Sequence, residues 1–413
     1  MEALVYISDF RLPFVLNFIR PLKRFPQYRK ILVIERENLQ QEEVLEPYFD
    51  EIRFIDRLEA RDQIAHHVEE IRQTHSIAAL LTPGENAIEI GGEIRSAYGI
   101  PGLQKNQALA VRNKWIMKQM LQQCGIRTAR AAVAMNLGDY EDFAERNGFP
   151  IIVKPLSGFG TINTYKISDA QELQSYIRNF RRNGQKDLLE EFISGKEFHC
   201  DSIVASGEVV FASVSQYLFN CLDIATKGKP PASITIPDGS GLEHVDQIRE
   251  INRRAISALG IHNSVTHAEL FLTEEGEVVF GEIGARIGGA QVMPPCIRNT
   301  HGIDLFDAIS ELELGLYEPK RRTPSDQFTG MVCFPSRSGI IQKISQKEDY
   351  ADVEGLLDFN VSYRIGQEAG DVRDTMTRSG YAIVEGRDFE TLRETLLDMY
   401  HRFEIQVMAP EPV

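Results

Sequence analysis

The sequence predicts an α/β protein of several domains, and three observations carry that prediction. Short β-rich runs alternate with helical stretches at the start of the chain, a glycine turn follows a β-rich run at residue 154, and a polar turn joins two strong β-rich runs around Glu274. At 413 residues the chain exceeds one compact core, and division by about 150 suggests two or three domains. Its 43% hydrophobic and 25% charged content is that of a soluble globular chain. Sixty acidic residues against 45 basic ones give a net charge of −15, which opposes a nucleic-acid surface built from clustered Lys and Arg. No apolar run approaches the roughly 18 residues of a membrane span. No basic segment precedes the first apolar stretch, so a secretory signal is not expected. Five dispersed cysteines without a CxxC pair imply reduced thiols in a cytoplasmic protein and no structural zinc.

Each element follows from local pattern. Residues 3–7, 31–35, 52–55 and 77–81 read as strands of a mostly parallel sheet, with intervening segments long enough for crossover helices. The turn after the first strand reads Ser8-Asp9-Phe10-Arg11, which lacks the G-x-G-x-x-G of a nicotinamide site. Residues 106–124 read as one helix stopped by Gly125. A β-rich block from 149 to about 219 contains strands at 151–154 and 162–167, a helix at 170–183 and further strands from 187. Residues 220–242, rich in Gly and Pro, read as a mobile loop. An amphipathic helix at 246–259 ends at Gly260 and precedes strands at 265–272 and 277–283; the last helix is expected at 389–402.

The glycine turn is Lys154-Pro155-Leu156-Ser157-Gly158-Phe159-Gly160-Thr161. Its backbone N–H groups can face an anion. It is not a Walker loop, since G-x-x-x-x-G-K-[ST] is absent, and the β-favouring segment after it excludes a Rossmann turn. A loop folded over phosphates and an ordinary hairpin turn both fit this stretch.

The second polar turn joins Val265-Thr266-His267-Ala268-Glu269-Leu270-Phe271-Leu272 to Glu277-Val278-Val279-Phe280-Gly281-Glu282-Ile283. If Thr273 and Gly276 close the hairpin, residue 269 lies opposite 280 and residue 267 opposite 282. Glu269 and Glu282 are then diagonal neighbours about 7–8 Å apart, on a face shared with Phe271, Val278 and Phe280. Two carboxylates on an apolar face repel and lose hydration unless a cation lies between them. Oxygen ligands select Mg²⁺ or Mn²⁺. A solvated face with two unrelated glutamates is the alternative, because a one-residue slip separates them. Arg286 follows four residues after Glu282 among Gly284, Gly288 and Gly289, and its planar fork suits a carboxylate or phosphoryl group.

Taken together these pieces resemble the ATP-grasp superfamily, across nearly the whole chain. The resemblance implies an ATP-grasp fold: an N-terminal parallel α/β domain (1–108), a connecting helical region (109–147), a β-rich lid subdomain (148–219) and a C-terminal α+β domain (220–413). It implies ATP with Mg²⁺ or Mn²⁺. The helix lysine looks like Lys114, the strand lysine like Lys154, and the lid like Ser157, Gly158, Phe159, Gly160 and Thr161. In the hinge, Glu190 and the backbone of Glu191, Phe192 and Ile193 would meet the adenine, and Glu197 the ribose. Glu269 and Glu282 match the metal carboxylates. Many members carry Asn where this chain has Gly284, so water or a substrate oxygen would fill that ligand position.

Within the superfamily, T-H-A-E-L-F-L-T and E-x-x-x-R-x-G-G are similar to the L-amino-acid ligase branch, which joins a carboxylate to an amine through an acyl phosphate. Lys154 and Arg286 would serve the chemistry, and His267, Arg286, Gly288 and Gly289 the substrate. The expected partners are a small carboxylate and amine, with no nucleic acid or membrane, and a homodimer is the default. The alternatives are a ligase acting on a carrier-bound or non-amino-acid substrate, a non-catalytic nucleotide sensor, and a biotin-carboxylase-like enzyme. The last is disfavoured because Ser213 to Asn220 has no basic residue where that branch carries several. His199 and Asp201 alternate onto the same side as Glu197, whereas Cys200 faces an apolar side. Lys227 could reach phosphate or be merely solvated, and Trp115 anchors its helix.

Overall fold

The computed structural model describes residues 1–413 except 9–13, 39–43, 183, 243, 290–291, 371–377 and 409–413. The expected turn at 9–11 therefore lies outside the described residues, and the helix expected over 170–183 is shorter, Ala170–Asn179, with Phe180 closing its end.

The first sheet is parallel and has the order β3-β2-β1-β4: β1 (Ala3–Ser8), β2 (Arg29–Glu35), β3 (Glu51–Ile55) and β4 (Ile77–Leu81). Helices Arg61–Thr74 and Ala87–Tyr98 cover one face through Ile64, Val68, Ile71, Ile90 and Ile94. The other face packs on helix Leu305–Glu313 through Leu305, Ile309 and Leu312, which ties the N-terminal layer to the second half of the chain.

An antiparallel lid sheet, ordered β5-β8-β6-β7, contains β5 (Ala131–Ala134), β6 (Ile151–Pro155), β7 (Tyr165–Ile167) and β8 (Asp187–Glu191). β5 thus comes from the stretch expected to be a connector. β7 starts three residues later than the expected strand, because Thr161 and Asn163 take positive φ (60° and 56°) and extend the turn.

The central antiparallel sheet has eight strands, ordered β13-β12-β9-β10-β11-β14-β18-β16. They are β9 (Lys196–Ala205), β10 (Glu208–Tyr217), β11 (Ala232–Thr235), β12 (Ser264–Leu272), β13 (Val278–Gly284), β14 (Phe328–Phe334), β16 (Leu356–Val361) and β18 (Gly380–Gly386). A small sheet joins β15 (Gly339–Ile344) to β17 (Glu368–Ala369) and β19 (Ile405–Met408). Helix His244–Ala258 lays Val245, Ile248, Ala255 and Ile256 on the main core at helical spacing. Helix Phe389–Arg402 does the same through Leu392, Leu396 and Met399.

Two expectations are corrected. Residues 106–124 form two helices, Lys105–Arg112 and Lys114–Gln123, because Asn113 is extended (φ −96°, ψ 103°). Its side chain accepts from Trp115 N (3.1 Å) and Ile116 N (3.2 Å) and so caps the second helix. Residues 220–242 are not a bare loop: they contain helix Cys221–Lys227, and β11, which bridges β10 and β14. The helix is short and the strand has four residues, too little for a periodic signal. No helix among the described residues is long and apolar enough to cross a membrane.

Candidate active site

A cavity of about 710 Å³ is walled by the lid sheet, the central sheet, residues 286–289 and residues 292–293. Its floor is a lattice of opposite charges. The cap at Asn113 starts a helix with Lys114 in its first turn and Lys118 one turn later, so both ammonium groups point the same way. Lys114 Nζ donates to the Gly158 carbonyl at 2.8 Å and lies 3.3 Å from Glu282. Lys154, at the end of β6, lies 3.0 Å from Glu190 and 3.6 Å from Glu282. Lys118 pairs with Glu190 at 3.1 Å and donates to the Gly281 carbonyl at 3.2 Å. Burial pushes the Lys118 ammonium down, opposed by Glu190. Burial also acts against charge on Lys154, but Glu190 and Glu282 outweigh it and raise that ammonium.

The metal-candidate carboxylates share a face, in a different register from the expected one. Gly276 N donates to the Thr273 carbonyl as expected (3.0 Å), but Thr273 N donates to the Glu277 carbonyl (3.0 Å) and the strands pair from Leu272 opposite Val278, which shifts the pairing by one residue. A bulge at Gly281 shifts it by another, so Glu269 stands directly opposite Glu282 and His267 opposite Gly284. Two one-residue shifts restore the parity that one would have destroyed. The bulge needs glycine there, since a Cβ on Gly281 would sit 2.8 Å from the Glu269 carbonyl. Val278 and Phe280, expected beside the carboxylates, point into the main core, and Phe271 and Val279 are paired on the cavity side. Burial works against the Glu282 charge, but Lys114 and Lys154 outweigh it and hold its carboxyl down at about 2.

The hinge supplies a third carboxylate. Glu190 faces the cavity between Lys118 and Lys154, whereas Glu191 turns outward to Arg127 (2.8 Å) and Arg130 (2.6 Å). Glu197 accepts from Cys221 N at 2.7 Å. Burial and then the Glu269 charge push its carboxyl up to about 8. Glu197, Cys221 and Glu269 bring their ligand atoms within 4.8 Å of one another. The oxygen donors fit a hard divalent cation: Glu269 and Glu282 share one rung, and the repulsion felt at Glu197 is of the kind such an ion relieves.

His267 does not face Glu282. Its Nδ1 lies 2.9 Å from Asp201, whose other oxygen is 2.6 Å from His199 Nδ1, while its Nε2 lies 3.8 Å from Glu269. Burial would lower its pKa, but Asp201 raises it to about 9. Gly288 lies on this ring: a Cβ there would be 2.1 Å from Nδ1. At Gly289 a Cβ would meet Met293. The room expected for substrate at these two glycines is therefore filled by His267 and Met293, although both glycines still border the cavity. Arg286 is held by Glu85 from the N-terminal layer through Nε and donates from Nη1 to the Ile287 carbonyl at 3.1 Å. Glu85 also takes Arg112, and these arginines hold its carboxyl low despite burial.

Lys114, Lys154, residues 158–161, 190–193, Glu197, His267, Glu269, Glu282, Arg286, Gly288 and Gly289 all border the one cavity. Ser157 is exposed and lies off it. Sequence reasoning missed Lys118, Glu85 and the role of Asp201. The spacing of Lys118 from Lys114 was a usable signal; the contacts of Glu85 and Asp201 are long-range and carry none.

Residues 123–312 match the family model of the D-ala D-ala ligase C-terminus, and residues 331–408 match that of the L-amino acid ligase C-terminal domain 2. The chain is 29% identical over 310 residues to an L-arginine-specific L-amino acid ligase of Bacillus subtilis, covering 73% of this chain and 72% of that protein. It is 24% identical over 344 residues to dapdiamide A synthase of Enterobacter agglomerans, covering 79% of each. A crystal structure of L-amino acid ligase from Bacillus licheniformis superposes with a TM-score of 0.79 at 20% identity, over 99% of both chains. Two family models, these relatives and the lysine–carboxylate floor agree: the chain is similar to the L-amino-acid ligase branch of the ATP-grasp superfamily.

Proposed function

We propose that this chain joins the carboxylate of one small molecule, an amino acid, to the amine of another, using ATP and forming an acyl phosphate. The observation that carries this reading is the floor on which Lys114, Lys118 and Lys154 share Glu190 and Glu282. Three ammonium groups with shared partners can turn to incoming phosphates without an unpaired charge being buried. The donor carboxylate attacks the γ-phosphorus of ATP, the bond to the ADP oxygen breaks, and an acyl phosphate results. The amine then attacks the acyl carbon, phosphate departs, and the nitrogen sheds a proton.

In this reading Lys154 and Lys114 hold the phosphates, and the backbone of residues 191–193 with Glu190 receives the adenine. Glu197 takes the ribose hydroxyls. Mg²⁺ or Mn²⁺, held by Glu269 and Glu282 with water or substrate oxygen beside Gly284, would offset phosphate charge. Arg286, oriented by Glu85, faces the reacting carboxylate or the departing phosphate. The 158–161 turn, tied to Lys114, closes over the site and keeps water from the acyl phosphate. The substrates are small molecules and the setting is cytoplasmic.

ADP release from all pairs of common amino acids, with mass spectrometry of the products, tests the reading. An amide product formed only with ATP and divalent metal is the expected result. ATP consumption without any amide across the panel would sink it.

A further inference from the structure

The rung beside the Glu269–Glu282 pair joins His267 to Gly284. Strand alternation puts both rungs on one face, and His267 borders the cavity with the two glutamates. Gly284 offers no side chain here, and its space is taken. A Cβ on it would lie 3.3 Å from Glu85 Oε2 and 3.4 Å from Arg286 Cγ. The donor on this rung is therefore the His267 ring, the one histidine among the described residues that borders the cavity.

Three residues fix that ring. Its Nδ1 lies 2.9 Å from Asp201 Oδ1, and Asp201 is itself held through Oδ2 by His199 Nδ1 at 2.6 Å. Gly288 packs so closely on the ring that any Cβ there would collide with it. With Nδ1 turned inward, Nε2 is the edge turned to Glu269, 3.8 Å from its Oε1. Two donors on one cation, each about 2.1 Å from it, stand about 3–4 Å apart. A carboxylate behind one ring nitrogen is the usual support for a histidine that binds metal through the other.

We propose that His267 Nε2 is a third protein ligand of the divalent cation placed on Glu269 and Glu282, making a mixed nitrogen–oxygen site. The assignment rests on the metal reading above and extends it. The nitrogen comes from across the hairpin, opposite the side chain that Gly284 lacks, and water and phosphate oxygens keep the other positions. An imidazole ligand shifts preference from Mg²⁺ towards first-row transition ions such as Mn²⁺ and Co²⁺. The ring keeps a proton while the site is empty, and that proton leaves as the metal binds. A metal among His199, Asp201 and His267 would instead have to break both Nδ1 contacts, and His199 and Asp201 do not border the cavity.

The test is pulsed electron paramagnetic resonance on Mn²⁺ bound to the whole chain with the β,γ-methylene analogue of ATP, which has no bridging nitrogen. Wild type should show nitrogen modulation that changes when the histidines carry ¹⁵N and disappears in His267→Gln. Calorimetric titration should show Mn²⁺ affinity falling about 10–100-fold in Asp201→Asn, as for loss of the group behind a metal-binding histidine. His267→Gln should lose at least as much for Mn²⁺ and less for Mg²⁺, narrowing the preference between the two ions. Melting temperatures without metal identify a misfolded variant, and the ¹⁵N result in wild type needs no variant. Bound Mn²⁺ without histidine modulation, or modulation that survives in folded His267→Gln, overturns the assignment and leaves the two-carboxylate site standing. Mn²⁺ affinity unchanged in both Glu269→Gln and Glu282→Gln overturns the metal reading as well.

Discussion

Lys118 and Arg95 are buried alike, each 1% exposed, yet they are partnered in opposite ways. Arg95 sits behind the site, where the N-terminal sheet meets helix Leu305–Glu313. It donates to the carbonyls of Leu80 and Leu103 and to Thr82, and pairs with Glu313 at 3.4 Å. Each of those partners is protein and none borders the 710 Å³ cavity. Lys118 has Glu190 as its ion-pair partner, and Glu190 is shared with Lys154, which in turn shares Glu282 with Lys114. Burial of charge is thus spent on fixed architecture in one place and on exchangeable contacts in the other. A lattice of shared partners can admit an anion and a cation together; a saturated guanidinium cannot.

The sharpest way to break this comparison is to alter the exchangeable side. Glu269→Gln and Glu282→Gln should each lower turnover by more than about 10³-fold, since each removes a charge aimed at the reacting centre. Melting temperature should change little in Glu269→Gln. Glu282→Gln also strips a partner from Lys114 and Lys154, so its melting temperature should respond to added ATP more than that of wild type. ADP release across a Mg²⁺ titration checks both. Wild-type rates in both variants would reduce the pair to a polar hairpin face.

On the fixed side, Arg95→Met should cost about 3–5 kcal/mol of stability by leaving Glu313 buried without its cation. Burial already raises the Glu313 carboxyl even with Arg95 beside it. The double variant Arg95→Met, Glu313→Leu should recover much of the loss, because matched apolar residues can replace a buried pair. Urea unfolding of the three proteins measures this. The KM for ATP should not follow the stability. If it does, the two charge systems are coupled and the contrast fails.

How much of this was legible in the sequence depends on the range of the contacts. β1 to β4, the lid strand carrying Lys154 and the two hairpin strands are local patterns, and they form within one or two residues of expectation. The same-face placement of Glu269 and Glu282 was read correctly from a wrong register. Neither the five-residue turn nor the bulge at Gly281 has a period-two signature, and their errors cancelled. The helix break at Asn113 was readable, since Asn is a strong cap, but the surrounding apolar spacing masked it. Glu85 meeting Arg286 spans 201 positions, and Asp201 meeting His267 spans 66. Such pairs are set by how sheets pack, and no local window contains them.

A third buried group sharpens the contrast from outside both networks. His301 is fully buried at the end of helix Met293–His301, and neither ring nitrogen makes a hydrogen bond among the described residues. Asp238 lies 3.8 Å from its Nδ1, Arg249 and Arg322 both pair with Asp238, and the Phe211 ring packs edge-on at 5.5 Å. Burial lowers its pKa to about 4, with Asp238 pulling the other way and the two arginines adding to the fall. The folded chain then binds fewer protons at His301 than the unfolded chain, whose histidine titrates near 6.5. Stability from this group is complete above about 6.5 and is lost as pH falls towards about 4, by up to about 3 kcal/mol. Urea unfolding of wild type and His301→Phe at pH 7 and pH 5 isolates the contribution. The phenylalanine variant should lose less stability between the two pH values than wild type, because it has no ring to protonate on unfolding. Parallel losses in both proteins would mean that the histidine is protonated in place, with Asp238 supplying the compensation that Glu190 gives Lys118.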